Sequence, residues 1–298
     1  MGEPEMGARE ANHQIERILV ALDASAHSLA ALEAAASMAA RFDAELVALF
    51  VEDVNIRRLT ELPFVQEVGF YSGRCRRVDV RELSRQLRIQ AGRIRQYFKV
   101  TTRHIQTRCT FVEFRGHVSS EVLAAASDAD VLILGKGAWS TVDTGRLAPE
   151  VRQILSQAPA SMLVLRAGTR VEPPMRVVYD GTPLAEKALK TAVALGEHED
   201  GHVRVFVLAD DSDEASRLKK KVQNQLATSN VELSFQTLNE DSVSRLAYLV
   251  VHEERGTLVL PTSEHTLEDE AVLDFLDKTR APVLMVRKGG KYAGTNDA

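Results

Sequence analysis

The stretch from Arg17 to Val51 reads RILVALDASAHSLAALEAAASMAARFDAELVALFV and decides the fold of this 298-residue chain. It contains an apolar run that ends at Asp23, an alanine-rich helical pattern, and a second apolar run. This order is typical of a βαβ unit in a parallel sheet. A second version, RVVYDGTPLAEKALKTAVALGEHEDGHVRVFVL, begins at Arg176, and Asp180 stands at the position that matches Asp23. We therefore interpret the chain as a tandem duplication.

The duplication continues beyond these two units. VSSEVLAAASDADVLILG from Val118 matches SRLAYLVVHEERGTLVLP from Ser244, and APASMLVLR from Ala158 matches TRAPVLMVR from Thr279. In each copy the patterns predict five strands that alternate with four helices. Right-handed crossovers place helices on both faces of such a sheet. We therefore predict an α/β fold of two tandem doubly wound domains, each with a five-stranded parallel sheet.

The predicted domain limits follow from these matches. Domain 1 is expected to span residues 16–168 and domain 2 residues 172–288. The linker lies in AGTRVEPP, because paired prolines continue neither a helix nor a strand. The tails, 1–15 and 289–298, are predicted to be flexible. At about 150 residues per domain, the length of 298 residues agrees with two domains.

Composition favours a globular protein inside the cell. The chain is 45% hydrophobic and 27% charged, which is ordinary for globular domains. No apolar run approaches the roughly 20 residues that span a bilayer. The polar start MGEPEMGAREANHQIE does not resemble a signal peptide, so a cytoplasmic location is expected. The two cysteines, Cys75 and Cys109, are too few for a disulfide framework or a structural zinc site.

Several motifs, taken in order, resemble the universal stress protein family. They are ILVALDASAHSLAALEAAASMA, the aspartate that ends the first strand, DADVLILG followed by a glycine loop, and AP-x-x-MLVLR. The second copy carries VVYDGTPLAEKAL, GTLVLP and APVLMVR. The resemblance covers residues 16–288 apart from 54–105, and it implies a tandem member with Rossmann-like domains. It also implies a stress-response role, pairing of the domains through their last strands, and a homodimer through that type of interface.

In nucleotide-binding members, the resemblance implies an ATP site after the fourth strand. Its spacing is Gly, two residues, Gly, nine residues, then Gly followed by Ser or Thr. Glycines let the backbone approach phosphates, and amides at a helix start complement their charge. Counted from Gly135, the later positions are Ala138, Ala148 and Pro149. Because Pro149 has neither an amide hydrogen nor a hydroxyl, we predict a degraded loop with at most weak ATP binding.

The candidate ligand-binding residues of domain 1 are Asp23, Gly135, Lys136, Gly137 and Ala138. A shifted loop through Lys136 and Gly137 would make domain 1 an ATP-binding switch, which is the first alternative. The resemblance implies that Asp23, at the topological switch point, contacts a ribose or base.

The matching aspartates have a second interpretation as helix caps. Asp23 would then cap the following helix, with Ser25 as the rival cap. For Asp180 the cap is the favoured interpretation, with Thr182 as its rival. The loop of domain 2, PTSEHTLEDE from Pro261, carries four acids and no Lys or Arg, so domain 2 is predicted to bind no nucleotide.

One apparent metal motif is interpreted as a coincidence. His198-Glu199-Asp200-Gly201-His202 matches the H-E-x-x-H pattern, whose histidines must share one face of a helix. The duplication places Gly201 in a turn and His202 directly before a strand. No G-x-S-x-G nucleophile motif is present. We therefore expect no metal and no enzyme.

Domain 1 carries a basic insertion at about 54–105. Between Arg57 and Arg115 there are 14 Lys or Arg and five Asp or Glu, a local charge of +9, so the rest carries −14 of the total −5. The periodicity predicts an amphipathic helix with an arginine stripe. The apolar face is Val80, Leu83, Leu87, Ala91, Ile94 and Phe98, and the stripe is Arg74, Arg77, Arg81, Arg85, Arg88 and Arg95.

The arginine stripe has two interpretations. It is a solvated face paired with acids of the same protein, or it binds an anionic partner. The overall acidity of the chain counts against nucleic acid as that partner.

Overall fold

The computed structural model of the chain describes residues 15–23, 25–54, 66–68, 75–77, 80–139, 146–197, 201–238, 255–262 and 270–288. For 66–68, 75–77, 80–84, 270 and 271 it describes the backbone alone. The predictions for the tails before residue 15 and after 288, and for the helix that precedes GTLVLP in the second copy, lie outside the described residues.

Strands and helices alternate along the described chain. The strands are β1 (Arg17–Leu22), β2 (Glu45–Asp53), β3 (Gln66–Val68), β4 (Cys75–Arg77), β5 (Cys109–Gly116), β6 (Val131–Gly135), β7 (Ser161–Leu165), β8 (Met175–Tyr179), β9 (His202–Leu208), β10 (Glu232–Leu238), β11 (Thr257–Pro261) and β12 (Val283–Val286). The helices are α1 (Ala26–Phe42), α2 (Val80–Thr101), α3 (Val118–Ala126), α4 (Pro149–Gln157), α5 (Pro183–Gly196), α6 (Ser212–Gln225) and α7 (Glu270–Lys278).

Ten of these strands form one sheet in the order β10-β9-β8-β11-β12-β7-β6-β1-β2-β5. Five come from each domain, and within each domain all neighbouring strands are parallel. The predicted α/β class, with two five-stranded parallel sheets, is therefore confirmed. The apolar runs were recognisable as strands because parallel strands covered by helices bury both faces.

The two five-stranded sheets join through β7 and β12, which pair antiparallel. Leu163 lies opposite Leu284 and Met162 lies opposite Met285, and all four side chains are buried. The expected edge-to-edge pairing of the closing strands is thus present within one chain. The strand edges that an interface of this type uses are therefore already paired within one chain, and the homodimer stays a prediction.

The insertion consists of β3, β4 and α2. β3 and β4 pair antiparallel, and α2 covers the side of domain 1 that carries β5. Ile94 and Phe98 of α2 are buried in the core, and the ring of Phe98 lies 5.5 Å from that of Phe111. The predicted amphipathic helix is therefore present, whereas the side chains of the first three stripe arginines lie outside the described residues.

Candidate functional site

The candidate site lies at the carboxyl ends of β1 and β6, where a parallel sheet commonly binds ligands. Asp23 follows β1, and its Oδ1 accepts a hydrogen bond from the Ser25 amide at 2.9 Å. Its Oδ2 accepts from the amide of Trp139, in the loop after β6. Ser25 is the N-cap of α1 and accepts from the Ser28 amide at 3.1 Å. Asp23 is therefore not the cap itself, since it joins the start of α1 to the loop after β6.

Gly135 and Gly137 allow α1 to approach this loop closely. A Cβ at Gly135 would lie 2.6 Å from the carbonyl carbon of His27, and a Cβ at Gly137 would lie 2.8 Å from its ring. His27 itself is buried, and its Nδ1 accepts a hydrogen bond from the Ala167 amide at 3.1 Å. The close packing of α1 therefore explains why both positions are glycine, and no bound ligand is needed to explain it.

Four backbone amides of this loop, among its described residues, already have acceptors inside the protein. The Lys136 amide donates to Leu165 O at 2.8 Å, and the Ala138 amide donates to Gly135 O at 3.1 Å. The Ala148 amide donates to Lys136 O at 3.2 Å. Together with the Trp139 amide, these groups bind the protein rather than projecting towards an open crevice.

The Lys136 side chain points away from the predicted phosphate position. It is 2% exposed, and its Nζ donates to Asp277 O at 2.7 Å and to Thr279 O at 3.1 Å. These carbonyls lie at the C-terminal end of α7, in domain 2, where the helix dipole favours a cation. The prediction of Lys136 as a phosphate ligand is therefore corrected: its ammonium group joins the two domains.

Domain 2 makes the matching contact in return. Arg287 follows β12 and is buried, and its guanidinium donates to Leu155 O at 3.0 Å and to Ala158 O, at the C-terminal end of α4. Each domain thus places a cation on the last helix of the other domain. No local sequence pattern indicates this arrangement, because the donor and acceptor residues are more than 120 positions apart.

Asp277 contributes a second contact between the domains. Its Oδ1 accepts from the Leu147 amide at 2.7 Å, and its Oδ2 forms an ion pair with Nη2 of Arg152. The Asp277 side chain is only 9% exposed. This carboxylate, which the sequence analysis did not single out, lies directly before the start of α4.

The equivalent edge of domain 2 carries the matching aspartate, Asp180, after β8. Asp180 Oδ1 accepts from the amide and the hydroxyl of Thr182, at 3.0 and 2.6 Å. Thr182 is the N-cap of α5, so the favoured interpretation of Asp180 as the cap is wrong. A Cβ at Gly181 would lie 2.6 Å from Leu218 of α6. Tyr179 is fully buried, and burial raises the pKa of its hydroxyl. The acidic loop 263–269 lies outside the described residues.

The basic surface of the insertion combines ion pairs with an exposed groove. Arg95 donates to Glu113 at 2.8 Å and lies 5.6 Å from the centre of the Phe111 ring. Arg115 of β5, outside the insertion, pairs with Glu52 at 2.7 Å. The Arg95 contact agrees with the solvated-face interpretation for that member of the stripe. The opposite face of α2 has a groove of about 480 Å³, lined by Ile89, Gly92, Arg93, Gln96, Tyr97 and Val100.

The described residues contain no group of three or more His, Cys, Asp or Glu side chains placed to hold a metal ion. His202 begins β9, directly after Gly201, so it does not lie on a helix, whereas residues 198–200 fall outside the description. Cys109 is half-buried, and burial raises the pKa of its thiol. Within the same ranges, none of the helices has the length and apolar content of a membrane span.

Comparisons with known proteins place the fold. The family model described as the universal stress protein family matches residues 14–166, which is more than half of the chain. A universal stress protein from Archaeoglobus fulgidus DSM 4304, 14% identical, superposes with a TM-score of 0.67 over 93% of this chain and 100% of that chain. A protein of unknown function from Pseudomonas aeruginosa PAO1, also 14% identical, superposes with a TM-score of 0.59 over 93% of each chain.

At these identities, the structural likeness concerns the fold, and it extends over both domains. No curated protein sequence matches this chain significantly. The assignment therefore rests on the family model, together with the order of motifs along the sequence. The chain belongs to the universal stress protein family.

Proposed function

We propose that this protein is a non-catalytic binding and regulatory module of the stress response, in which the loop after β6 joins two domains instead of binding a nucleotide. One observation carries the proposal. The Lys136 ammonium, which an ATP-binding loop would turn towards phosphates, is buried against the C-terminal carbonyls of α7. The amides of Ala138, Trp139 and Ala148 are also bonded within the protein.

The ATP-binding switch is the alternative for the same site. For Lys136 and Gly137 to contact phosphates, α7 would have to move and the loop amides would have to exchange their acceptors. Pro149 at the first position of α4 still offers no amide hydrogen. The movement of α7 and the exchange of acceptors both weaken ATP binding, because each bonded group has to give up an existing partner.

We expect isothermal titration with Mg-ATP to give a dissociation constant no tighter than about 1 mM, equivalent to about −4 kcal/mol. The control ligand is adenosine, which lacks the phosphates. Equally weak binding of ATP and adenosine would indicate that the loop makes no favourable contacts with the phosphates. Micromolar affinity for ATP with no binding of adenosine would establish the switch and contradict the proposal.

A second candidate function is the binding of an anionic partner at the groove on α2. No Asp or Glu occurs between Leu83 and Val112, while Arg93 and Lys99 are exposed beside the groove. Ile89 and Val100, 41% and 59% exposed, supply apolar contacts on the same face. This combination of cations and aliphatic side chains suits an acidic protein segment better than a sugar–phosphate backbone.

We expect the double variant Arg93→Gln/Lys99→Gln to elute from immobilised heparin, used as a polyanion, at lower salt than the unmodified protein. The reason is that screened attraction between exposed charges falls with ionic strength. The control variant, Arg217→Gln/Lys220→Gln, removes the same charge from exposed positions on α6. Equal shifts for both double variants would show that net charge alone matters, and would exclude a dedicated surface on α2.

A further inference from the structure

Strand β5 forms one of the two outer edges of the ten-stranded sheet. Among the described residues it pairs with β2 alone. Three consecutive residues near its end, Glu113, Phe114 and Arg115, are exposed, and the exposed fraction of Phe114 is 46%. An exposed edge strand that carries an aromatic side chain is a site where another strand can add to the sheet.

The pairing of β5 with β2 shows which of its backbone groups point outwards. The Leu46 amide donates to Arg108 O at 2.9 Å, and Leu46 lies opposite Cys109. In a parallel ladder, every second residue turns its amide and carbonyl groups towards the same neighbouring strand. The even-numbered residues of β5 therefore bond to β2, and Glu113 and Arg115 turn their backbone groups to the open edge.

The exposed sequence Glu113-Phe114-Arg115 is complementary to itself. If two copies of β5 run antiparallel about Phe114, Glu113 of one copy lies opposite Arg115 of the other, and symmetry repeats this pair. The outward backbone groups of each such pair then face each other, so the pair exchanges both of its backbone hydrogen bonds. Phe114 lies opposite its counterpart at a non-hydrogen-bonded position, where side chains come closest.

The ion pairs around this edge fit the same arrangement. Glu113 pairs with Arg95 of α2 at 2.8 Å, and Arg115 pairs with Glu52 of β2 at 2.7 Å. In the antiparallel pairing, the guanidinium of Arg115 lies between its own Glu52 and Glu113 of the second copy. A guanidinium has N–H donors for both carboxylates. The existing ion pairs therefore extend into a row of alternating charge and need not break.

Charge also distinguishes this pairing from the alternatives. The other outer strand, β10, has a single charged residue, Glu232, at its first position. An antiparallel pairing of β5 about Glu113 instead of Phe114 would place two carboxylates opposite each other, which is unfavourable. The pattern of charges therefore favours β5 over β10, and it favours Phe114 as the centre of the pairing.

We propose that a second copy of this chain binds at the β5 edge, with the two β5 strands antiparallel about Phe114. Within domain 1, this edge lies at the opposite end of the sheet from β7, whose own edge is paired with β12. The contact covers the outward amides of Glu113 and Arg115 together with the exposed ring of Phe114. It does not depend on the proposed function.

The test uses the full chain and reverses the charge at the two outward residues. Sedimentation equilibrium of the unmodified protein should show reversible association from 32.9 kDa to twice that mass. In Glu113→Arg and in Arg115→Glu, symmetry converts both opposite-charge pairs into like-charge pairs. We expect the dissociation constant of the dimer to rise about tenfold or more. A monomer at every concentration, or unchanged dissociation constants in both variants, would overturn the proposal.

The control for these variants is Arg108→Glu, directly before β5. Arg108 is exposed and pairs with Glu45 at 3.4 Å, so this variant also reverses a charge and breaks an ion pair, but it lies outside the paired residues. We expect it to dimerise like the unmodified protein. An equal rise of the dissociation constant in Arg108→Glu would show that net charge controls association, and would contradict the assignment to the β5 edge.

Mixing the two charge-reversal variants tests the register itself. In a heterodimer of Glu113→Arg with Arg115→Glu, the introduced arginine lies opposite the introduced glutamate, and the unmodified Arg115 and Glu113 form the second pair. Native mass spectrometry should therefore show the heterodimer in excess over both homodimers. A heterodimer no more abundant than random association produces would refute the pairing about Phe114.

A neutral substitution covers the case that a charge-reversal variant does not fold, as judged by circular dichroism. Phe114→Thr removes the exposed ring and keeps a side chain that suits a strand. Its control is Val100→Thr, at a residue of α2 that is 59% exposed. We expect weaker dimerisation in Phe114→Thr alone. Equal association of the two variants counts against the β5 interface.

Discussion

Replacing Gly135 by alanine is expected to lower the free energy of unfolding by about 1–3 kcal/mol, the usual range for a core that is overpacked. The added Cβ would lie 2.6 Å from the carbonyl carbon and 2.8 Å from the carbonyl oxygen of His27, and backbone atoms cannot rotate away as a flexible side chain can. Relief requires α1 to move away from β6, which also loosens the contact between Asp23 and Trp139. Chemical denaturation of both proteins measures the difference.

The control for this substitution is Gly92→Ala in the middle of α2. A Cβ at Gly92 meets nothing within 4 Å, so the variant gains helix propensity without a clash. We expect it to stabilise the protein by about 0.5–1 kcal/mol. Equal effects of the two substitutions would show that Gly135 is not needed for the close packing of α1. If a Gly135 variant lost ligand binding, the loss would reflect the destabilised fold as well as the altered loop.

Domain 2 expressed alone, as residues 172–288, is expected to fold and then to associate with itself. Without domain 1, β12 loses its antiparallel partner β7 and presents an open edge with unpaired backbone groups. The side chains of Leu284 and Met285, which are buried in the full chain, become partly accessible. Circular dichroism establishes folding, and light scattering after gel filtration measures the mass.

Mixing domain 2 with residues 16–168 provides the control for that experiment. The two fragments should form a 1:1 complex, because β7 pairs with β12 and because Lys136 and Arg287 each reach a helix end in the other domain. A fragment of domain 2 that stays unfolded would refute two separately folding domains. One that stays monomeric at every concentration would refute the role of the open strand edge.

Much of the architecture was predictable from local patterns. The apolar runs around Val20 and Val177 predicted buried parallel strands, and the helical pattern between the two apolar runs of the second unit corresponds to α5. The sequence also contained the candidate helix caps, but it did not show which of two nearby residues forms each cap. Ser25 and Thr182 cap their helices, while the aspartates two positions earlier accept the amides of those cap residues.

The candidate site was predictable only in part. Its place at the end of β6 was implied by the family resemblance, and the departure from the family's glycine spacing was visible at Ala138, Ala148 and Pro149. The roles of individual groups did not follow, because they depend on partners in the other domain. Lys136 was a candidate ligand-binding residue, and its ammonium group instead binds the end of α7. Asp277 resembled any other acidic residue on the surface of a helix.

The sequence by itself determined two duplicated parallel α/β domains, the strands that close each sheet, and a loop that departs from the glycine spacing of nucleotide-binding members of the family. These features depend on interactions between near neighbours in the chain, such as the alternation of apolar runs and helical faces. The family resemblance implied that the last strands pair, and the structure shows the resulting sheet of ten strands. Only the tertiary structure decided that Lys136, Arg287 and Asp277 bind across the boundary. A charged side chain has many acceptable partners along a sequence, and folding selects one of them by bringing distant helix ends within hydrogen-bonding distance.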